Sequence, residues 1–283
     1  MHRRPLLLAG ALSAAFVLAR PIGAQTPGVP APPANVRSFE NFLPLGPPAG
    51  LQPSSAPDLA GAWVVDALDR PTPLNAGVNV QGQEAAISLQ PWALEKMRSE
   101  IPPTGPLAQP HRTTDPWTRY CEPNGLVRIY AHPGRTEFVQ LPDRVLILHE
   151  VMQQFRIVRL NSTHLPLEEL DPSWWGDSIG WYENGDTLVV DTVGTNGRTW
   201  LTQTGHPSTE KLHVIERYRR VKREVVEFEA TVDDPGAYTK PFTVRRMMRL
   251  SPVPFMRVPW NCSVRDNMEF IDKLLNDAVT SSP

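Results

Sequence analysis

Four ionisable side chains stand where strand alternation puts them among apolar neighbours, an arrangement suited to moving protons. Asp191 shares a face with Val189 and Val193, and Glu216 shares one with Leu212, Val214 and Tyr218. His149 lies on the side of Val145, Ile147 and Val151, and Asp177 on the side of Trp175, Ile179 and Trp181. Acid–base catalysis needs a donor and an acceptor whose surroundings push their pKa values apart, and an apolar enclosure does this by desolvation. On this reading Asp191 and Glu216 form the acid–base pair, with His149 and Asp177 shuttling or orienting protons. Arg156 would hold an anionic group, Trp175 and Trp181 would stack on a substrate, and Tyr218 and Arg246 would complete the substrate-facing set. Each assignment has a plainer alternative. The carboxylates could pair with Arg156, Arg217 or Arg246 and fix strand register, while the tryptophans and His149 could be ordinary core residues.

Other chemistries find less support. The chain has no Gly-x-Ser-x-Gly elbow, phosphate loop, dinucleotide fingerprint or HExxH pair. The nearest histidines in sequence, His206 and His213, could be joined by Glu210 or Glu216, but no local ligand spacing accompanies them. The expectation is therefore no metal and no organic cofactor.

The elements that must position these residues are strands. Leu126–Ala131, Glu137–Leu141, Val145–Val151, Phe155–Leu160, Trp174–Tyr182, Thr187–Val193, Leu212–Arg220, Val225–Val232 and Phe242–Leu250 all have strand length and composition. Turn chemistry at Pro142-Asp143, Asn184-Gly185, Lys222-Arg223 and Asp233–Gly236 joins several of them as hairpins. With Asp58–Val65 they make a mainly β chain of about ten strands in meander order, and a sheet of that size closes or splits. The fold expected is an antiparallel up-and-down β-barrel with one or two short helices, at Gln90–Ile101 and at Met268–Ala278 with Asn267 as cap. Gln90–Asn124 would form a lid. In Phe242–Leu250 the apolar alternation is interrupted by Arg246, a charge on an inward face.

The ends suggest export. Arg3-Arg4, an apolar run to Leu18 and the small residues near Ala24 read as a signal peptide over residues 1–24, followed by a Pro/Ala-rich tether over 25–57 and one domain over 58–283. This predicts a periplasmic or secreted protein without stable membrane insertion. A net charge of −2 with dispersed basic residues offers no nucleic-acid footprint. In an oxidising compartment the two cysteines, Cys121 and Cys262, most simply form one disulfide; a thiolate nucleophile or metal ligand would lack a CxxC or a nearby histidine pair.

The series Asp58–Trp63, Cys121–Gly125, Gln153–Arg156, Asp171–Trp174, Gly185–Thr192, Arg198–Leu201, Gly205–Pro207 and Glu216–Arg220 resembles a large group of exported bacterial proteins without an assigned reaction. The Gly61-Ala62-Trp63 opening followed by a meander is also similar to the lipocalin-like, or calycin, barrels. That resemblance implies a barrel holding an apolar small molecule, with isomerases, hydratases and cyclases among its relatives. The long insertion before Leu126 departs from the ordinary lipocalin pattern. Two functions follow as expectations: an enzyme acting on a small apolar or aromatic molecule as a lyase, isomerase or hydrolase, or a periplasmic carrier of a hydrophobic ligand. A third is an envelope protein using the barrel as a partner surface.

Overall fold

The computed structural model describes residues 58–65, 87–100, 114–132, 134–256 and 259–280. Residues 1–57, which include the segments expected as a signal peptide and a tether, lie outside the described residues. Nine strands close into a barrel: β1 (Ala62–Val65), β2 (Thr136–Gln140), β3 (Arg144–His149), β4 (Phe155–Leu160), β5 (Asp177–Glu183), β6 (Thr187–Val193), β7 (His213–Lys222), β8 (Val225–Asp233) and β9 (Phe242–Leu250). β1 pairs with both β2 and β9, so no strand edge is left open. This architecture is compatible with a lipocalin-like fold.

Strand order follows the chain, but one pairing departs from the expected meander. β4 and β5 run parallel, with Val158 opposite Ser178 and Leu160 opposite Gly180. A parallel neighbour needs a return connection. Residues 161–176 supply it, running along the outside of the wall, where the Ser173 N–H donates to Gly194 O and His164 meets Asp177 and Asp191. The turn at Asn184-Gly185 is as expected, both residues having positive φ (51° and 73°), which matches the strand twist of a tight hairpin.

The inner face is set by alternation. Phe138, Val145, Ile147, Val158, Leu188, Val190, Val214, Tyr218, Val226, Phe228, Ala230, Val244 and Met248 are buried there. The segment expected as a strand at Leu126–Ala131 instead forms a 3-10 turn at Arg128–Ala131. Gly125 and Val127 both have positive φ, and the turn they start drives Tyr130 into the barrel against Phe228, ring centroids 4.3 Å apart. An extended strand could not have made that turn. Arg128 anchors it from behind through a buried fork on Asp115, which also accepts from the Trp117 N–H at the start of the next helix.

The helices are α1 (Pro91–Ser99), α2 (Pro116–Tyr120) and α3 (Val264–Thr280). Asn267 is inside α3 and does not cap it; its side chain donates to Thr118 O, joining α3 to α2. The Cys121–Cys262 disulfide closes the same junction. Among the described residues no helix is long and apolar enough to cross a membrane.

Candidate functional site

β2, β3 and β4 bring Thr136, His149 and Arg156 to one end of the barrel: Thr136 stands opposite His149, and Arg156 stands opposite Ile147, one inward step from His149. His149 is buried, its Nδ1 lying 3.0 Å from Thr136 Oγ1, while its Nε2 has no hydrogen-bond partner. Trp175 covers it, the two rings stacked at 5.4 Å with 9° between planes. The same indole lies 6.0 Å from the Arg156 guanidinium and is held by its Nε1–H donating to Gln154 Oε1.

Arg156 reaches across the lumen to β7. Its Nη2 is 2.6 Å from Glu216 Oε2, a charge contact in which Oε2 lacks hydrogen-bond geometry, and it donates to Tyr218 Oη at 3.0 Å. Tyr218 donates to Glu216 Oε1 at 2.9 Å, so the 2.6 Å contact between the two phenols must be made by Tyr130 donating to Tyr218. Arg156 Nε and Nη1 are buried without partners. Three nitrogens, two on Arg156 and one on His149, are thus unengaged at this end of the barrel, next to Trp175. A cleft of about 210 Å³ opens at this rim, lined by Leu148, His149, Gln154, Phe155 and Phe255 among others.

Burial, and then the Arg156 charge, hold His149 well below its ordinary range, so the ring is neutral. Burial raises the Tyr218 and Tyr130 phenols, with the Glu216 charge adding to the effect in both. Burial also disfavours the Arg156 cation, but the Glu216 charge and the facing phenols outweigh it and raise its pKa. The phenols therefore stay protonated and Arg156 stays charged.

The wall separates the proposed acid–base partners. Asp191 pairs with Ile215, one residue before Glu216, so their side chains fall on opposite faces. Glu216 is inside; Asp191 is outside, where His213 Nε2 approaches it at 2.8 Å and His164 Nε2 at 3.2 Å. Asp177 is also outside, engaged by His164 Nδ1 at 2.9 Å and by Arg159 at 2.8 Å. Trp181 follows Asp177 outward and donates to Glu183. Trp175 was expected on that same face but turns over the lumen. Gly176, between Trp175 and Asp177, has φ +63°, which breaks the alternation, and a Cβ there would lie 2.3 Å from Val193 O. Arg246 is buried on the inner face opposite Phe228 and donates to Arg245 O.

His164, Thr136, Gln154 and Tyr130 escaped the sequence reading. His164 sits in a connection without periodicity, and Tyr130 lies in a run that reads as a strand. His206 and His213 have different surroundings: His206 is buried beside Thr202 and Thr204 hydroxyls, His213 is on the outer wall. Among the described residues no three His, Cys, Asp or Glu side chains converge as a metal site. A larger groove of about 480 Å³ lies outside the barrel beside Trp92, Tyr120 and Arg198. Its one buried charged group, Glu122, is already engaged by Arg198 and by the Trp174 Nε1–H, which leaves the barrel end as the stronger candidate. No family model, curated protein or solved structure matches the chain.

Two histidines of opposite behaviour give stability a peak in pH. Because folding lowers the His149 pKa, the unfolded chain takes up a proton that the folded chain does not, and stability falls as pH drops below about 6.5. The slope approaches about 1.4 kcal/mol per pH unit when the difference is one whole proton. The Asp191 hydrogen bond raises His213 despite partial burial, so its contribution is complete below about 6.5 and is lost as pH rises through the folded value. Urea midpoints should therefore be highest near pH 6.5. His149→Gln should flatten the acid limb and His213→Gln the shallower alkaline one; an unchanged acid limb in His149→Gln would show that this ring is not held neutral.

Proposed function

We propose that this protein is an enzyme acting on a small, largely apolar or aromatic molecule by general acid–base chemistry at the Trp175-covered end of the barrel. The observation that carries this is His149: a neutral buried ring with Nδ1 against Thr136 and Nε2 unengaged. In the tautomer that donates Nδ1–H to Thr136 Oγ1, Nε2 holds a lone pair and can accept a substrate proton. The unpartnered N–H groups of Arg156 would stabilise the negative charge that develops as the proton leaves. Such a step belongs to a lyase, an isomerase or a hydrolase. The lipocalin-like assignment, with β1 opened by Gly61-Ala62-Trp63, and export to the periplasm or beyond are parts of the same reading.

A carrier without chemistry is the second reading, favoured by one observation: the Glu216 carboxylate is already committed to Arg156 and Tyr218. Tryptophan fluorescence during a screen of small aromatic and apolar molecules identifies ligands, and product analysis follows. Wild-type protein should convert a ligand about 10²–10⁴ times faster than folded His149→Gln, the usual worth of a general base. Binding without conversion selects the carrier, and equal conversion by both proteins removes His149 from the mechanism.

A further inference from the structure

We propose that the molecule bound at this end carries a single carboxylate, and that its binding is coupled to uptake of one proton by His149. This rests on the ligand site proposed above and refines the role of His149: with the carboxylate bound, Nε2 carries the proton and His149 acts as the general acid, the neutral ring returning as base once that proton is passed on. The first support is the donor set. Arg156 gives Glu216 and Tyr218 only its Nη2, leaving Nε–H and Nη1–H without acceptors inside the fold. Buried donors of a charged group left unpaired are costly, so an incoming anionic oxygen has a strong thermodynamic reason to take them. An amide oxygen of the same shape would make weaker hydrogen bonds.

The second support is a charge count. Arg156 and Glu216 sum to zero, and both phenols stay neutral, so an anion entering alone would leave one uncompensated buried negative charge. His149 Nε2, the third unengaged nitrogen, can remove that deficit by taking a proton. The groups bearing on His149 are Arg156 from β4, Tyr130 from the 3-10 turn at 5.6 Å, and, behind Arg156, Glu216 and Tyr218 from β7. Glu150, next in sequence, is taken by Arg135. The imidazole, neutral and with Nε2 unengaged, is placed to take that proton. It balances one negative charge and no more, which favours a monoanionic carboxylate over a dianion such as sulfate or phosphate.

The third support is access. His149 stacks on Trp175 and the Arg156 guanidinium lies 6.0 Å from the same indole, which is tethered by one hydrogen bond to Gln154 and joined to β5 through Gly176. Movement of this side chain about the glycine admits the ligand, so its fluorescence reports entry.

The test titrates the whole mature protein with acetate, benzoate and phenylacetate, with the matching amides, and with sulfate, by calorimetry in buffers of different ionisation enthalpy. At least one carboxylate should bind ten times or more tighter than its amide and take up one proton. Its affinity should fall about tenfold per pH unit above neutrality, as one-proton linkage requires. In His149→Gln the proton uptake should vanish while Arg156 still binds, and in Trp175→Phe the fluorescence change should vanish while the heat of binding remains. Amides binding as tightly as acids, sulfate binding as tightly as carboxylates, or binding without proton uptake would each overturn the inference while leaving a ligand site in place. If the screen finds neutral ligands at this site and no carboxylate binds, the inference falls alone; if nothing binds, it falls with the function.

Discussion

Glu216→Gln is expected to destabilise the protein by about 3–5 kcal/mol, because it leaves the Arg156 cation buried inside the barrel without its counter-charge. At about 2–4 °C per kcal/mol for a domain of this size, the melting midpoint should fall by roughly 6–20 °C. The cost comes from stranding a charge, and the pair itself adds little net stability. The double replacement Arg156→Met with Glu216→Leu should therefore recover most of the loss, since a packed apolar pair avoids both desolvation costs. Melting curves of Glu216→Gln and of the double variant decide the matter. A Glu216→Gln protein as stable as wild type would mean that Arg156 reaches water or another anion, and the closed lumen end would have to be abandoned.

Reduction of the Cys121–Cys262 bridge should be of similar size. The two residues are 141 apart in sequence, and closing so long a loop restricts the unfolded chain by about 5 kcal/mol in the chain-entropy model, of which about 2–4 is typically realised. The bridge also fastens the α2 end of the insertion to the segment leading into α3, where Asn267 and Thr118 add one hydrogen bond. Cys121→Ser with Cys262→Ser should melt roughly 5–15 °C lower than wild type, and reductant should bring wild type to the same value. A smaller shift would show that the junction is held mainly by packing.

Sequence periodicity exposed the barrel because each strand buries one face, and a period of two survives in almost every run. In Val225–Asp233 the buried set Val226, Phe228, Ala230 and Val232 is the one alternation picks out. The same rule placed Glu216, His149 and Arg246 on apolar faces, and all three are buried. It also carried the inner and outer sets of β6 and β7, but comparing Asp191 with Glu216 required the register between those strands, which alternation within one strand does not contain. The parallel β4–β5 pair was hidden for a related reason: the 161–176 connection has the composition of any surface loop, and nothing in it announces a return path. Trp175 was misplaced by a single glycine, since one positive φ reverses every inference drawn through it. Tyr130 was misplaced because a short apolar run bounded by Gly125 reads equally well as a strand or as a tight inward turn.

The site itself was legible as residue types and not as a constellation. His149 stands out as a polar group on an apolar face and Arg156 as a candidate for holding an anion, and their partnership with Trp175 emerges only when β3, β4 and the start of β5 are brought to one end. Asp177 and Asp191, picked for the same property, belong to an outer chain with His164 and His213, where each carboxylate has its own cationic or imidazole partner.

The most direct measurement is a pH titration by nitrogen NMR of protein labelled at its histidine rings. One ring, removed by His149→Gln, should stay neutral from pH 8 to below its ordinary range near 6.5, in the tautomer with the proton on Nδ1. If the His149 signals instead titrate like an exposed imidazole, or show the proton on Nε2 throughout, the base at the centre of this account is absent.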